Sequence, residues 1–432
     1  MTTNPAWIRR DAARVWHGFT QMSTYAENQP IMVERAEGRE LIDVDGRRYL
    51  DAISSLWVTT LGHRVPELDA AVTAQLSRVA HSTMLGNGNT VVVDLAEALA
   101  EVVPVDDPQF LFASDGASAV EQALKMAFQY WWNRDTAGRT RYLALGGAYH
   151  GDSVGALSLG ASGFGTDLFD PLRFGGVLRS AGYDDPDWLP SALGLLERHG
   201  SSLAAVVIEP LVQGAAGMHM ATADQVNILG RACTESGALL ICDEVATGFG
   251  RTGTLFASEQ CGLRPDIMCI GKGLTGGYLP MSAAVASGRV AQAFLGEDLG
   301  PETFYHGHSY SGNALAAAVA LRHLELISAW DVLANVAARS IELESQMRRV
   351  LGPLDGVGDI RVCGLMAGVE LAPAPPGSRR GRRVCADAVR RGVLLRPLGD
   401  VIVVMPMLTS TSEEITRIVD VLARCITDVC GS

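Results

Sequence analysis

Paired cysteine motifs are missing from this sequence. Its eight cysteines are scattered along the chain, and no two of them form a Cys-x-x-Cys pair. The spacing therefore indicates neither a disulfide framework nor a zinc site, and we expect no bound metal. Cys242 and Cys269 fall inside apolar runs, where a free cysteine behaves as a small buried residue. This usage fits a reduced cytosol, so we expect a cytoplasmic protein.

Long apolar stretches and a basic stripe are missing as well. No segment approaches the roughly 18 uncharged apolar residues of a membrane-spanning helix, and the first residues lack the apolar core of a signal peptide. The net charge is −13, whereas phosphate neutralisation needs clustered lysine and arginine. We therefore expect neither a membrane nor a nucleic acid as a partner.

The middle of the chain alternates between apolar runs and helical segments. With 432 residues, 48% of them hydrophobic and 19% charged, there is material for two packed domains. Strand and helix alternation of this length is typical of an α/β domain with a mostly parallel sheet. The predicted strands are 110–113, 142–145, 204–208, 239–242, 267–270 and 283–286, and the predicted helices between some of them are 118–132, 188–198 and 223–236.

The two ends of the chain follow other patterns. Alternating runs at 31–34 and 40–44 predict a hairpin or small antiparallel sheet. Long helices and short apolar runs beyond residue 330 predict a smaller α+β domain, in which we interpret the Pro-, Gly- and Arg-rich segment 373–383 as an exposed loop. The predicted organisation is an N-terminal arm and small sheet at 1–60 that belongs to the small domain, a large domain at 61–328, and a C-terminal small domain at 329–432.

Two neighbouring strand candidates end in charged residues. Asp243 directly follows the run at 239–242, and Lys272 follows Gly271 after the run at 267–270. Ligands of parallel sheets lie beyond the carboxyl ends of the strands, so this carboxylate and this amine are expected in one crevice. Such a pair forms the core of a pyridoxal phosphate site, in which lysine binds the aldehyde and aspartate keeps the pyridine nitrogen protonated. A strand-end ion pair is the alternative for the two residues alone.

Other strand ends carry groups that suit an anion or a flat ring. Ser114-Asp115-Gly116-Ala117-Ser118 precedes a predicted helix, where free amides bind phosphate well; an ordinary helix cap is the alternative. Tyr149, in the turn Gly146 to Asp152, could stack on a ring or simply pack in a surface turn. Glu209 ends a further strand, and a buried glutamate needs a partner.

A loop and two arginines complete the candidate set. His306 to Asn313 is a polar, Gly-rich loop before a helix; its two histidines lack a clustered Asp or Cys, which favours anion binding or plain loop chemistry over metal. Arg251 and Arg396 are the cations best placed for a substrate carboxylate, because a guanidinium grips a carboxylate by two parallel hydrogen bonds. A structural ion pair is the alternative for each arginine.

These motifs together resemble the class III pyridoxal phosphate aminotransferases of fold type I, and the similarity runs essentially end to end. The Asp243 and Lys272 motifs identify the class, and the N-terminal tryptophan motifs narrow it to one subgroup. The segments that carry the resemblance are Trp16-His17-Gly18-Phe19-Thr20-Gln21-Met22, Ser54-Ser55-Leu56-Trp57, Lys125 to Trp131, Tyr149-His150-Gly151-Asp152, Asp243 to Gly253, and Gly271-Lys272-Gly273-Leu274-Thr275-Gly276-Gly277.

The resemblance implies a role for each candidate residue. Lys272 would hold the cofactor aldehyde and move a proton, Asp243 would hold the pyridinium nitrogen, and Tyr149 would lie against the ring as the third catalytic residue. The remaining cofactor-binding residues would be Gly116 and Ala117, through backbone amides, with His308 and Ser309 reaching the phosphate of a neighbouring subunit in a homodimer with shared sites. The substrate-binding residues would be Phe19, Leu56, Trp57, Asp152, Arg251, Gly307 and Arg396.

The subgroup implies a reaction between two small molecules, an amino donor and a keto acceptor. Its members aminate 8-amino-7-oxononanoate to 7,8-diaminononanoate in biotin biosynthesis. The branch that uses S-adenosylmethionine as donor typically has Tyr in place of Phe19, Trp in place of Leu56, and Pro-Thr in place of His308 and Ser309. These differences remove a hydroxyl and an indole that could hydrogen-bond to and stack on an adenine-bearing donor. They therefore favour lysine slightly as the amino donor. An ω-amino acid or diamine transaminase of another pathway is the alternative.

Overall fold

The computed structural model of the protein describes residues 4–28, 30–136, 138–160 and 165–431. The chain forms two compact units; the first comprises Met1–Pro66 and Ala338–Ser432, and the second comprises Glu67–Ala337. The domain boundaries predicted after residues 60 and 328 stay predictions. None of the helices in the described ranges is both long enough and apolar enough to cross a lipid bilayer.

The strands are numbered along the chain. They are β1 Val33–Glu37, β2 Glu40–Asp43, β3 Arg48–Asp51, β4 Gln109–Ala113, β5 Arg141–Ala144, β6 Val177–Arg179, β7 Leu203–Ile208, β8 Val212–Gln213, β9 His219–Met220, β10 Leu239–Asp243, β11 Ile267–Ile270, β12 Ser282–Ala286, β13 Val357–Cys363, β14 Met366–Leu371, β15 Val393–Leu394, β16 Arg396–Leu398 and β17 Val401–Val404.

The helices are numbered in the same way. They are α1 Asn4–Ala12, α2 Ser54–Trp57, α3 Pro66–Leu76, α4 Thr90–Ala100, α5 Gly116–Asn133, α6 Val154–Leu159, α7 Trp188–His199, α8 Ala223–Ser236, α9 Ala257–Gln260, α10 Gly288–Gln292, α11 Ala314–Ala329, α12 Val332–Val350, α13 Arg380–Arg390 and α14 Ser412–Cys430. Short 3-10 turns lie at Met22–Thr24, Ala26–Asn28, Asp167–Leu172, Gly200–Ser202 and Lys272–Thr275.

The second unit is built on a seven-stranded sheet with the order β4-β12-β11-β10-β7-β5-β6. β12 is antiparallel to both of its neighbours, whereas the pairs from β11 to β6 are parallel. The predicted α/β class with a mostly parallel sheet is confirmed, and the six predicted strands of this region are all members of the sheet. β6 and the two-stranded β8–β9 ribbon were not predicted.

The central strands are unbroken apolar runs in the sequence because both of their faces are buried. β7, β10 and β11 are buried along their whole lengths, so every side chain must suit a dry environment. Helix α5 covers the sheet with Ala119, Ala123 and Ala127, which repeat at helical spacing and are fully buried. Charged residues can therefore appear only where such a strand stops, and Asp243 is the last residue of β10.

The first unit contains two four-stranded sheets, with the orders β1-β2-β3-β15 and β13-β14-β17-β16. The predicted N-terminal hairpin is confirmed as the antiparallel pair β1–β2, to which β3 adds a third antiparallel strand. β15 is parallel to β3, so a strand from the C-terminal part of the chain completes the N-terminal sheet. Pairing over such a distance leaves no local sequence signal.

The interpretation of 373–383 as one exposed loop is partly wrong. Helix α13 begins at Arg380, within that segment. Val384, Cys385 and Ala388 are buried on one face of this helix, while arginines occupy its exposed side. The dense cluster of arginines conceals the short apolar stripe that drives helix formation.

Candidate active site

The register of β10 and β11 brings the two central residues to one edge of the sheet. Asp243 lies beside Cys269 in the parallel ladder, and the amide of Glu244 donates to the Cys269 carbonyl at 2.9 Å. Lys272 follows Cys269 by three residues. The predicted carboxylate and amine thus meet beyond the carboxyl ends of neighbouring strands, as a crevice of a parallel sheet requires.

Lys272 sits in an unusual backbone conformation and an unusual electrostatic environment. Its φ is +42°, in the left-handed region that non-glycine residues rarely adopt and that marks functional sites when other contacts enforce it. Burial lowers its pKa from the ordinary value, and the charge of Arg251 acts in the same direction, against the opposing charges of Asp243 and Glu209. A lower pKa leaves more of the amine neutral, which is the form that attacks a carbonyl and accepts a proton.

Asp243 is held by a buried histidine. The Asp243 Oδ2 atom lies 2.7 Å from His150 Nδ1, and the Val245 amide donates to Oδ1 at 3.0 Å. Burial alone would lower the pKa of His150, but the hydrogen bond to Asp243 and the charges of Asp243 and Glu209 raise it overall. A carboxylate has about four lone-pair sites, so Asp243 keeps acceptor capacity for a further donor such as a pyridinium nitrogen.

Glu209 is a second buried carboxyl group at this edge. Its Oε1 accepts a hydrogen bond from the Tyr149 amide at 3.1 Å, and its Oε2 accepts one from the Gly214 amide at 3.3 Å. Burial raises the pKa of Glu209 to about 7; the charge of Asp243 adds to this, while His150 and the two amides oppose it. The charge of His150 thus favours the ionised form of Glu209, and the charge of Glu209 favours the protonated form of His150.

Replacing Glu209 with glutamine should change how stability depends on pH. The pKa of Glu209 is raised from 4.5 to about 7, so the native state binds more protons than the unfolded state between those values, and stability falls as pH rises through that window. The amide of the variant cannot ionise. We expect Glu209→Gln to gain stability relative to the wild type by on the order of 3 kcal/mol as the pH rises through that window. Urea unfolding of both proteins with saturating cofactor measures the difference, and parallel pH curves would contradict it.

The N-terminus of α5 forms a cradle for an anion. Asp115 caps the helix by accepting from the Ser118 amide at 2.9 Å, and hydrogen bonds from Ser118 and Ser114 lower its pKa against the effect of burial. The first amides, at Gly116 and Ala117, have no acceptor within the helix and are available to an anion. A Cβ atom on Gly116 would lie 2.7 Å from Val245 Cγ1, so glycine lets this terminus approach the segment after Asp243.

The turn that carries Tyr149 packs against the same terminus. Gly151 has a φ of +128°, and a Cβ atom there would lie 2.5 Å from the Cβ of Ala117. The Tyr149 hydroxyl donates to Asp152 Oδ2 at 2.9 Å. Burial and the Asp152 carboxylate raise the pKa of Tyr149, so the phenol stays protonated. Tyr149 and Asp152 are therefore brought to the crevice together.

The loop with the predicted phosphate ligands lies against α5 within a single chain. His308 Nε2 is 3.0 Å from Ser114 Oγ, and the Tyr310 amide donates to His308 Nδ1 at 3.1 Å. The carbonyl of Ser309 lies 2.8 Å from His81 Nε2. Gly307 is exposed in the same loop. The predicted reach of His308 and Ser309 to a neighbouring subunit stays a prediction.

Of the remaining predicted substrate residues, Arg251 alone lies in the second unit. Arg251 is only 1% exposed, although its charge acts on Lys272. Phe19, Leu56, Trp57 and Arg396 belong to the first unit, where all but Trp57 are exposed. The substrate roles of these residues stay predictions.

Two residues that surround Asp243 were absent from the predicted site. His150 and Glu209 both lie in strand-end motifs noted in the sequence, but their roles depend on contacts across the sheet. An ionisable residue at the end of a fully apolar strand is the sequence signal that could have identified both residues.

The donor set fits pyridoxal phosphate: a buried carboxylate, a half-buried amine, helix N-terminal amides and an aromatic ring. His150 Nε2, buried and without a hydrogen-bond partner among the described residues, adds a polar atom suited to a bound group.

The chain is similar in sequence to known proteins over most of its length. The sequence model of the family described as aminotransferase class-III matches residues 22–426. The adenosylmethionine-8-amino-7-oxononanoate aminotransferase of Nitratidesulfovibrio vulgaris is 44% identical over 430 residues, which cover 95% of this chain and 79% of that protein.

Solved structures show the same fold over nearly the whole chain. The adenosylmethionine-8-amino-7-oxononanoate aminotransferase of Methanocaldococcus jannaschii matches with a TM-score of 0.94 at 37% identity, covering 98% of each chain. An amine transaminase from an uncultivated Pseudomonas species, solved in its PLP-bound form, matches with a TM-score of 0.91 at 33% identity, covering 96% of this chain and 99% of that one.

Proposed function

Because the chain belongs to the class III aminotransferases, we propose that it aminates 8-amino-7-oxononanoate to 7,8-diaminononanoate in biotin biosynthesis. It is a transaminase that uses pyridoxal phosphate. The observation that carries the substrate proposal is the 44% identity, over 95% of this chain, to a relative named for that acceptor. The meeting of Asp243 and Lys272 beyond neighbouring strands supports the chemistry.

Lys272 and Asp243 have different roles in the proposed reaction. Pyridoxal phosphate supplies, when bound, an aldehyde that takes up the amino group and a ring that delocalises negative charge. We assign proton transfer to the amine of Lys272, since its lowered pKa keeps part of it neutral. Asp243, fixed by His150 and the Val245 amide, would keep a ring nitrogen protonated through its fixed negative charge.

The remaining cofactor residues would bind and orient rather than react. The amides of Gly116 and Ala117 would hold the phosphate, since a helix N-terminus carries partial positive charge. Tyr149 would pack against the ring, its phenol anchored by Asp152 and its backbone by Glu209. We also propose a homodimer with shared sites, in the cytoplasm, in which His308 and Ser309 contribute to the neighbour's phosphate site.

We propose lysine as the amino donor. Phe19 and Leu56 offer neither a phenol hydroxyl nor an indole for an adenine ring, which supports a smaller donor. The names of the relatives favour S-adenosylmethionine instead, so the two donors must be tested directly. A third possibility, an ω-amino acid or diamine transaminase, is favoured by the 33% identity to an amine transaminase.

Transfer of a heavy nitrogen atom distinguishes these possibilities. The purified enzyme is incubated with 8-amino-7-oxononanoate and either ¹⁵N-lysine or ¹⁵N-labelled S-adenosylmethionine, and the product is analysed by mass spectrometry. We expect 7,8-diaminononanoate that carries the label from lysine. Label from S-adenosylmethionine alone would reject the lysine proposal. Failure with both donors, combined with amination of simple ketones by (S)-1-phenylethylamine, would reject the biotin-pathway substrate in favour of an amine transaminase.

A further inference from the structure

The segment 149–152 carries three functional groups of the candidate site. They are the Tyr149 ring, the His150 imidazole that lies 2.7 Å from Asp243, and the Asp152 carboxylate that accepts from the Tyr149 hydroxyl at 2.9 Å. The segment belongs to neither a helix nor a strand and leads directly into helix α6. Without a hydrogen-bond ladder of its own, it depends on contacts with other elements for its position.

The start of α6 is capped by a side chain from another helix. The amides of Gly155 and Ala156 donate to Glu121 Oε1, in α5, at 2.8 and 3.2 Å. These amides, at the second and third positions of α6, are the ones that the side chain of an N-cap residue ordinarily binds. The N-cap residue, Ser153, makes no such bond, and its hydroxyl donates instead to the same oxygen of Glu121 at 2.6 Å. A local cap is thus replaced by a tertiary one.

This replacement makes the position of α6 depend on α5. A serine cap alone would satisfy the terminus, whereas a carboxylate from α5 also faces the positive end of the helix and ties the two elements together. A Cβ atom on Gly155 would lie 2.1 Å from Glu121 Oε2, so glycine leaves the room that the carboxylate occupies. The contact therefore depends on the residue types of both partners.

Glu121 lies one helical turn beyond the anion cradle of α5. Ala117 and Glu121 are four positions apart, so they share one face of the helix. The same face meets Gly151, where a Cβ atom would lie 2.5 Å from the Cβ of Ala117. At the other end of the segment, Glu209 accepts from the Tyr149 amide at 3.1 Å. The segment is thus held by a carboxylate on each side, with α5 against its middle.

We propose that Glu121 is a positioning residue that fixes Tyr149 and Asp152 relative to the phosphate-binding amides of α5. This inference rests on the proposed function, in which the amides of Gly116 and Ala117 hold the cofactor phosphate and Tyr149 packs against the ring. Glu121 acts through the backbone at the start of α6. One helix then sets both anchors of the cofactor, so the orientation of the ring relative to the phosphate depends on this contact.

Glu244 offers a matched control for the loss of such a cap. It accepts from the amides of Ala257 and Ser258 at 3.0 and 2.6 Å and from the Thr247 hydroxyl at 2.5 Å. Both carboxylates therefore accept from two successive amides at the start of a short helix and from one hydroxyl. Helix α9, which Glu244 caps, carries none of the assigned site residues, so Glu244→Ala reports the general cost of removing the cap.

The test compares Glu121→Ala, Gly155→Ala, their double variant and Glu244→Ala as holoenzymes. The readouts are the visible circular dichroism of the bound cofactor, its dissociation constant, the thermal midpoint, and kcat with the donor that the wild type accepts. We expect Glu121→Ala and Gly155→Ala each to weaken the visible circular dichroism and to lower kcat about tenfold, because the ring and its neighbours lose their alignment. The dissociation constant should change much less, since the α5 amides are untouched.

The double variant tests whether the two substitutions act through one contact. Removing the Glu121 side chain makes room for a Cβ atom at 155, so the double variant should add little to either single change. Glu121→Gln keeps an acceptor oxygen and should restore most of the circular dichroism and of kcat. Glu244→Ala should lower the thermal midpoint and leave both unchanged; Glu244→Gln takes its place if it does not fold, and Gly155→Ala with Glu121→Gln does so for Glu121→Ala.

Three results would overturn the proposal: unchanged circular dichroism and kcat in Glu121→Ala, the same losses in the Glu244 control, or additive effects of Glu121→Ala and Gly155→Ala. Tyr149→Ala separates this failure from that of the assigned site. If Tyr149→Ala leaves the circular dichroism of the cofactor unchanged, the role assigned to Tyr149 is refuted. The circular dichroism requires no substrate, so a wrong acceptor or donor in the proposed function leaves this test intact.

Discussion

Lys272→Ala is expected to lower kcat by about 10⁴-fold, because the residue assigned to move the proton is lost and no other lysine lies at this position. The sequence contains only two lysines, and the other, Lys125, is an exposed residue of α5 whose Nζ lies 3.1 Å from His306 Nδ1. Steady-state turnover with saturating cofactor measures the effect. The thermal midpoint, measured in parallel, shows that the variant is folded.

The scarcity of lysine also makes the covalent attachment easy to locate. Borohydride reduction of the holoenzyme should fix the cofactor to one lysine, and a peptide map needs to distinguish only Lys125 from Lys272. Lys125→Ala is the matched control and should keep its turnover. Substantial turnover by Lys272→Ala, or a label on Lys125, would refute the assignment of the site.

Asp243→Asn should lower kcat by about 10³-fold, since it removes a preorganised charge without removing the side chain. The amide still accepts from the Val245 amide, so the geometry at Oδ1 is kept. The dissociation constant of the cofactor should change much less than kcat, because the α5 amides and Lys272 still hold it. Single-turnover rates and cofactor titration separate the two effects.

The substitution also acts on His150, which provides a second readout. The hydrogen bond and charge of Asp243 raise the pKa of His150 against the effect of burial, so Asp243→Asn should lower that pKa. Glu244→Gln is the control: Glu244 is fully buried next to Asp243 but accepts from the amides of Ala257 and Ser258 at 3.0 and 2.6 Å. It should lose stability and keep kcat. Equal single-turnover rates in wild type and Asp243→Asn would contradict the role of the charge.

Local patterns were sufficient for most of the regular structure. α8 begins and ends at the predicted bounds 223–236, and β11 matches its predicted bounds at Ile267–Ile270. Side-chain periodicity is a property of a few neighbouring residues, so it can be read along the chain. The helix at α13 was missed in part because its buried stripe is short and lies among arginines.

Local patterns likewise identified some residues of the candidate site but not the contacts between them. Asp243 and Lys272 were identifiable because each ends an apolar run, and the chain direction of parallel strands places such ends on one edge. The hydrogen bond between His150 and Asp243 joins residues 93 positions apart, and the bond from the Tyr149 amide to Glu209 spans 60 positions. No local pattern specifies which strand end faces which.

By itself the amino-acid sequence determined the α/β class, the positions of six of the seven strands of the large sheet, and the carboxylate and amine at two strand ends, since these depend on local periodicity and on the chemistry of single residues. Only the tertiary structure decided the strand order with β12 antiparallel, the burial that moves the pKa values of Lys272, His150 and Glu209, and the left-handed turn at Ser54–Trp57. Desolvation and backbone strain both depend on atoms distant in sequence, so they come into being only when the chain has packed.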